Sequence, residues 1–155
     1  GLFLNPSEDL VNSVLNKVKL DLLQFHGKET ADFCDSFSRP YIKAIGMEGI
    51  SSEEEFTQAT QQYTNGKGFL IDSHATGKAG GTGQTFDWKN IPQQQEKPII
   101  LAGGLNPENI ADALQQLNLY GVDLSSGVES QSGIKDPDKI KKLMNEVYRV
   151  QFSKI

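Results

Sequence analysis

A chain of 155 residues, 37% hydrophobic and 23% charged, is long enough for one domain with a real core and too apolar for a disordered segment. Its formal net charge of −5 argues against nucleic acid or an anionic membrane surface as the main partner, though not against a small anion held by backbone amides. Cys34 is the only cysteine, so no internal disulfide forms, and no apolar stretch approaches the ~20 residues of a membrane span. The opening "GLFLNPSEDL" has neither the basic start nor the apolar length of a signal peptide, which implies a reducing, cytoplasmic setting.

Strand and helix patterns then alternate with short connections. "LFL" at 2–4 is a short apolar run, and Leu10, Val14, Leu15 and Val18 recur at helical spacing behind Ser7, Glu8 and Asp9, a good helix start. "DLLQFH" at 21–26 reads as a strand, "KETADFCDSF" as an amphipathic helix, and "YIKAIG" at 41–46 as a strand with a lysine in its middle. "SSEEEFTQATQQY" opens with serine and acids, as a helix should. "GFLID" at 68–72 is a further strand, and after a glycine-rich loop "FDWKNI" reads as a short helix. "PIILAG" at 98–103 is a continuous apolar run, the pattern of a strand covered on both faces. The spacing predicts a helix over "NPENIADALQQL", with Asn106 as cap and Pro107 leading, and a last strand over 121–127. Asp136 and Pro137 then open the last helix. Six such units imply a single α/β domain over 1–155, built on a parallel sheet with right-handed crossovers.

In such a sheet ligands meet the carboxyl ends of the strands. Those ends read Asn5-Pro6, Gln24-Phe25-His26-Gly27, Lys43, Asp72, Gly103-Gly104 and Ser125-Ser126-Gly127. "AGGLNPEN" places two glycines just before a helix N-terminus, and "DLSSG" supplies a second small turn after the next strand. Either alone is a tight turn; together, on the final two strands of a barrel, Gly103, Gly104, Ser126 and Gly127 are candidates to cradle a phosphate. Asp72 is a loop-capping aspartate or, at a strand end beside glycine-freed backbone, a general acid or base. His26 is a satisfied polar group or a pocket residue, and Lys43 an inward charge lining a pocket or a snorkelling edge residue. Cys34 falls at an apolar helical position and reads as core. The two histidines and one cysteine are too far apart in sequence to suggest a metal site.

The succession "LLQFHG", "IKAIG", "LIDS…GGTGQTFDW", "ILAGGLNPEN" and "GVDLSSGVESQSGIKD" resembles phosphoribosylanthranilate isomerase over essentially the whole chain. That resemblance implies a (β/α)8 TIM barrel of the ribulose-phosphate-binding type. It also implies an Amadori rearrangement of N-(5-phosphoribosyl)anthranilate to the 1-deoxyribulose 5-phosphate, in tryptophan biosynthesis. By resemblance Asp72 is the general acid, Gly103, Gly104, Ser126 and Gly127 bind phosphate, and His26, Lys43, Gly80, Gly81 and Gly83 line the substrate pocket. No cofactor or metal is expected. The family's first two βα units, the first carrying a Cys-Gly pair whose cysteine is the general base, have no counterpart in this sequence. The expectation is therefore six units, from the third to the eighth strand, with the open barrel edge covered by a missing N-terminal segment or by a homodimer partner. A non-catalytic phosphate-binding fragment awaiting such a segment is the alternative.

Overall fold

The computed structural model describes residues 1–73 and 86–152; Gly77, Gly80, Gly81, Gly83 and His74 lie outside the described residues. Six parallel strands form one sheet in chain order: β1 (Leu2–Phe3), β2 (Leu23–Phe25), β3 (Tyr41–Gly46), β4 (Gly68–Asp72), β5 (Ile99–Leu101) and β6 (Gly121–Val122). The crossovers carry α1 (Glu8–Lys17), α2 (Ala31–Asp35), α3 (Glu53–Thr60) and α4 (Ile110–Gln116), and α5 (Pro137–Phe152) closes the chain. The β4–β5 crossover contains a 3-10 turn at Trp88–Asn90 where the sequence suggests a short helix.

Local chemistry sets the helix starts. The side chains of Ser7, Thr30 and Ser52 accept from the backbone N–H of Leu10, Phe33 and Glu55, satisfying donors that the first helical turn leaves unpaired. Asp136 does the same for α5, its Oδ1 accepting from the N–H of Asp138 and Lys139.

Strand parity then divides the side chains between two layers. Leu23, Phe25, Tyr41, Ile45, Phe69, Ile71, Ile99 and Leu101 join the helices in the main core. Ala44, Leu70 and Ala102 pack with Ile100 in a small cluster on the opposite face. Phe25 is fully buried, its ring within 6.0 Å of those of Phe3, Phe33, Phe37 and Tyr41. Burying such a side chain is worth about 1.5–3 kcal/mol.

The sheet ends are less covered. Leu2 and Leu4 on and just past the edge strand are 64% and 51% exposed, as are the α5 residues Tyr148 at 51% and Phe152 at 71%. Among the described residues, no helix is long and apolar enough to cross a membrane.

Two sequence expectations need correction. The helix after Gly104 begins at Ile110, not at Pro107. Asn106 Oδ1 accepts from the N–H of Glu108 and Asn109, while Asn109 Oδ1 accepts from the N–H of Asn106, so the two asparagines close a local turn that competes with the helix. The last parallel strand stops at Val122 instead of running to Gly127. Beyond it lie a 3-10 turn at Ser126–Val128 and an antiparallel hairpin, β7 (Glu129–Gln131) with β8 (Ile134–Lys135), that alternation of strand and helix does not suggest.

Candidate active site

Asp72 ends β4, the central strand register carrying it level with Gly46 of β3. Its parity matches Leu70, so the carboxylate belongs to the face opposite the helices, with 14% of its side chain exposed. It lines a cavity of about 490 Å³ together with Gly103, Gly104, Ser126 and Gly127. The acid and both turns singled out from the sequence therefore meet in one place.

Backbone conformation explains the glycines. Gly103 and Gly104 have φ of 81° and 66°, the left-handed region that L side chains rarely adopt. A Cβ on Gly103 would also strike Ser73, so the turn after β5 comes up directly against the residue following the acid. A Cβ on Gly127 would overlap the carbonyl oxygen of Leu105, which brings the turn after β6 against the turn after β5.

Sequence reasoning gave Ser125 only a place at a strand end and passed over Asp123, Glu129 and Lys135. Asp123, Ser125 and Glu129 also line the cavity. Lys135 Nζ, on the unforeseen hairpin, donates to Ser125 O at 2.8 Å, Ser125 Oγ at 2.9 Å and Glu129 Oε1 at 2.7 Å. Hydrogen bonds from Lys135 and from the Gly133 N–H hold the Glu129 carboxyl below the usual carboxylate range. The signal was present in "SSGVESQSGIKD", where a glycine turn between polar residues marks a hairpin. No lysine or arginine is among the described residues lining the cavity, so an anion there would rely on backbone N–H groups.

His26 follows β2 on the same face as Asp72. Its Nε2 lies 3.8 Å from Asp72 Oδ2, and its Nδ1 lies 3.2 Å from Gln24 Nε2. His26 thus stands beside the acid at the rim rather than among the cavity's lining.

Lys43 lies elsewhere. It shares parity with Tyr41 and Ile45, on the helix side of β3, and is 1% exposed, so it does not snorkel. Its Nζ sits 3.4 Å from Glu29 Oε2 and donates to the carbonyls of Gly27 at 2.7 Å and Ala44 at 2.9 Å. Glu29 in turn accepts from the N–H of Asn5 at 2.8 Å and Gly27 at 2.9 Å. Burial lowers the Lys43 pKa, with Glu29 opposing. The lysine thus borders a separate cleft of about 290 Å³ with Gly27 and Gly46, and ties the loop after His26 to the sheet from behind. Cys34 is buried in α2 as core, and burial pushes its thiol up to about 12.

Comparison with known proteins identifies the family. Residues 1–146 match the family model of N-(5'-phosphoribosyl)anthranilate (PRA) isomerase. The chain is 47% identical over 148 residues to the N-(5'-phosphoribosyl)anthranilate isomerase of Pseudomonas savastanoi pv. phaseolicola, covering 96% of this chain and 70% of that protein. It is 46% identical to the isomerase of Hahella chejuensis, covering 96% and 68%. The crystal structure of the Thermotoga maritima isomerase superposes with a TM-score of 0.77 at 34% identity, covering 96% of this chain and 71% of that one. A phosphoribosyl anthranilate isomerase bound to reduced 1-(o-carboxyphenylamino)-1-deoxyribulose 5-phosphate superposes at 0.69 with 30% identity, covering 96% and 70%. The chain belongs to the N-(5'-phosphoribosyl)anthranilate isomerase family.

Proposed function

We propose that the cavity between Asp72 and the two glycine turns is where this chain takes part in isomerising N-(5'-phosphoribosyl)anthranilate to 1-(2-carboxyphenylamino)-1-deoxyribulose 5-phosphate. The chain is an isomerase of tryptophan biosynthesis by its family. One observation carries the assignment of roles: Asp72, Gly103, Gly104, Ser126 and Gly127 border a single cavity.

In this reading the phosphate sits on the N–H groups of the two turns, with Ser126 adding a hydroxyl. The Asp72 carboxyl donates its proton to the ribose ring oxygen; the C1′–O bond breaks and the anilino nitrogen takes up the positive charge as an iminium. Loss of the C2′ proton to a base gives the enolamine, which tautomerises to the ketone, so hydrogen moves within the substrate and no external oxidant is consumed. Family resemblance makes that base a cysteine of the first barrel strand. Cys34 does not fill the role: it packs between sheet and helix, and its proton is held up to about 12. His26 borders the substrate beside the acid, and Lys43 acts on it indirectly through Gly27 and Glu29.

The six strands correspond, in the same reading, to six of the eight units of a barrel forming one domain. The exposed Leu2, Leu4, Tyr148 and Phe152 support this, since they mark edges that further βα units or a second copy would cover. Turnover then requires such cover, and the chain by itself binds phosphate without completing the reaction. Its setting is cytoplasmic.

Crystals soaked with the reduced product analogue test the assignment: the phosphate is expected between Gly104 and Gly127, and an anion lodged away from both turns would overturn it. Assays of the 155-residue chain with and without two added N-terminal βα units test the need for cover; full turnover of the bare chain refutes it.

A further inference from the structure

The residue two positions before His26 has no assigned part in the reaction, yet it touches the histidine that faces the acid. Gln24 and His26 point to the same face of β2, because side chains alternate along a strand. The Gln24 Nε2 amide group lies 3.2 Å from His26 Nδ1. With the amide turned this way its NH2 can only donate, an arrangement that selects the neutral tautomer accepting at Nδ1 and carrying its proton on Nε2. Nε2 is the atom 3.8 Å from Asp72 Oδ2.

We propose that Gln24 is a positioning residue: by holding His26 in the Nε2–H tautomer, it keeps an N–H directed at the Asp72 carboxyl group and so orients the acid. The proposal rests on Asp72 as the acid. Gln24 is not among the described residues lining the cavity, and it acts on the acid through the ring. With the opposite tautomer, a lone pair on Nε2 would face Asp72 and compete with the ribose ring oxygen for the proton the acid delivers.

The test is long-range 15N–1H NMR on the neutral side chain of His26 in the protein as it exists, with His26→Gln used to assign its signals against the one other histidine. The wild type is expected to show the Nε2–H tautomer. Gln24→Met, close in shape but unable to donate, is expected to give a mixture, and Gln24→Glu to move the proton to Nδ1. In the catalytically complete enzyme both variants are expected to lower kcat by about tenfold, part of the roughly 10²–10⁴ that a general acid supplies, with KM nearly unchanged. A wild-type proton on Nδ1, or a tautomer that does not respond to Gln24→Met, would overturn the proposal. Turnover surviving in Asp72→Asn is a different failure: it removes the acid assignment and leaves the tautomer result as measured.

Discussion

Gly127 approaches the carbonyl oxygen of Leu105 so closely that no side chain fits between them. This contact presses the turn after β6 onto the turn after β5 and brings the two loops to one cavity. In the chain completed by two N-terminal βα units, in which the kinetic predictions are measured, Gly127→Ala forces the two turns apart. Losing about one charge-assisted hydrogen bond, worth roughly 1.5–3 kcal/mol, is expected to raise KM by about tenfold or more while kcat changes little. Gly121→Ala is the control, since nothing lies within 4 Å of a Cβ there, and steady-state kinetics on both variants separate the site effect from general damage.

Asp72→Asn keeps the shape of the side chain and removes its proton chemistry. Turnover is expected to fall by roughly 10²–10⁴, the range of general acid catalysis, while the affinity for the product analogue stays within about twofold. Calorimetric titration beside the kinetics checks the two halves separately.

The hairpin acts on the turn after β6 through Lys135. Replacing it with Met removes both bonds to Ser125 and leaves Glu129 without its cation, so KM is expected to rise with kcat preserved. The acid side of the pH profile follows from Glu129. Its folded pKa is depressed below the ordinary carboxyl value of 4.5, so its contribution to stability is present above that value and fades as pH falls through the lower, folded one. Acid titrations are expected to show wild type and Lys135→Met converging at low pH, with the wild type more stable above 4.5.

Lys43 and Glu29 form a buried pair, their side chains 1% and 2% exposed. Removing one partner leaves the other charge without compensation. Lys43→Met is expected to cost about 3–5 kcal/mol in urea unfolding, and adding Glu29→Gln is expected to recover part of it, as breaking a buried pair is worse than replacing both members.

Cys34 gives a check on the base. A fully buried thiol with its pKa near 12 is expected to resist thiol reagents at pH 8 until the protein unfolds, and Cys34→Ala is expected to leave kcat unchanged. Fast labelling in the native state, or loss of turnover in that variant, would place Cys34 among the reacting groups against its reading as core.

The period-two and 3.6-residue patterns announced the strands and helices because each buries one face, and that constraint is written locally. Asp72 and the glycine turns were legible for a related reason: strand ends and positive φ leave a mark in residue type. Hairpin β7–β8 was less visible, as a short, exposed pair carries little apolar pattern. The helix after Gly104 was drawn too long, because Asn106 and Asn109 satisfy each other's backbone as readily as they cap a helix.

By itself, the sequence determined the order of the six parallel strands and their crossover helices, and it singled out a strand-end aspartate and two glycine turns, since all of these depend on neighbours along the chain. Only the tertiary structure decided that Lys43 faces the helices and pairs with Glu29, that Gln24 and Asp72 stand on either side of His26, and that Lys135 clamps Ser125. These are meetings of residues distant in the chain, and strand register together with face parity settles them.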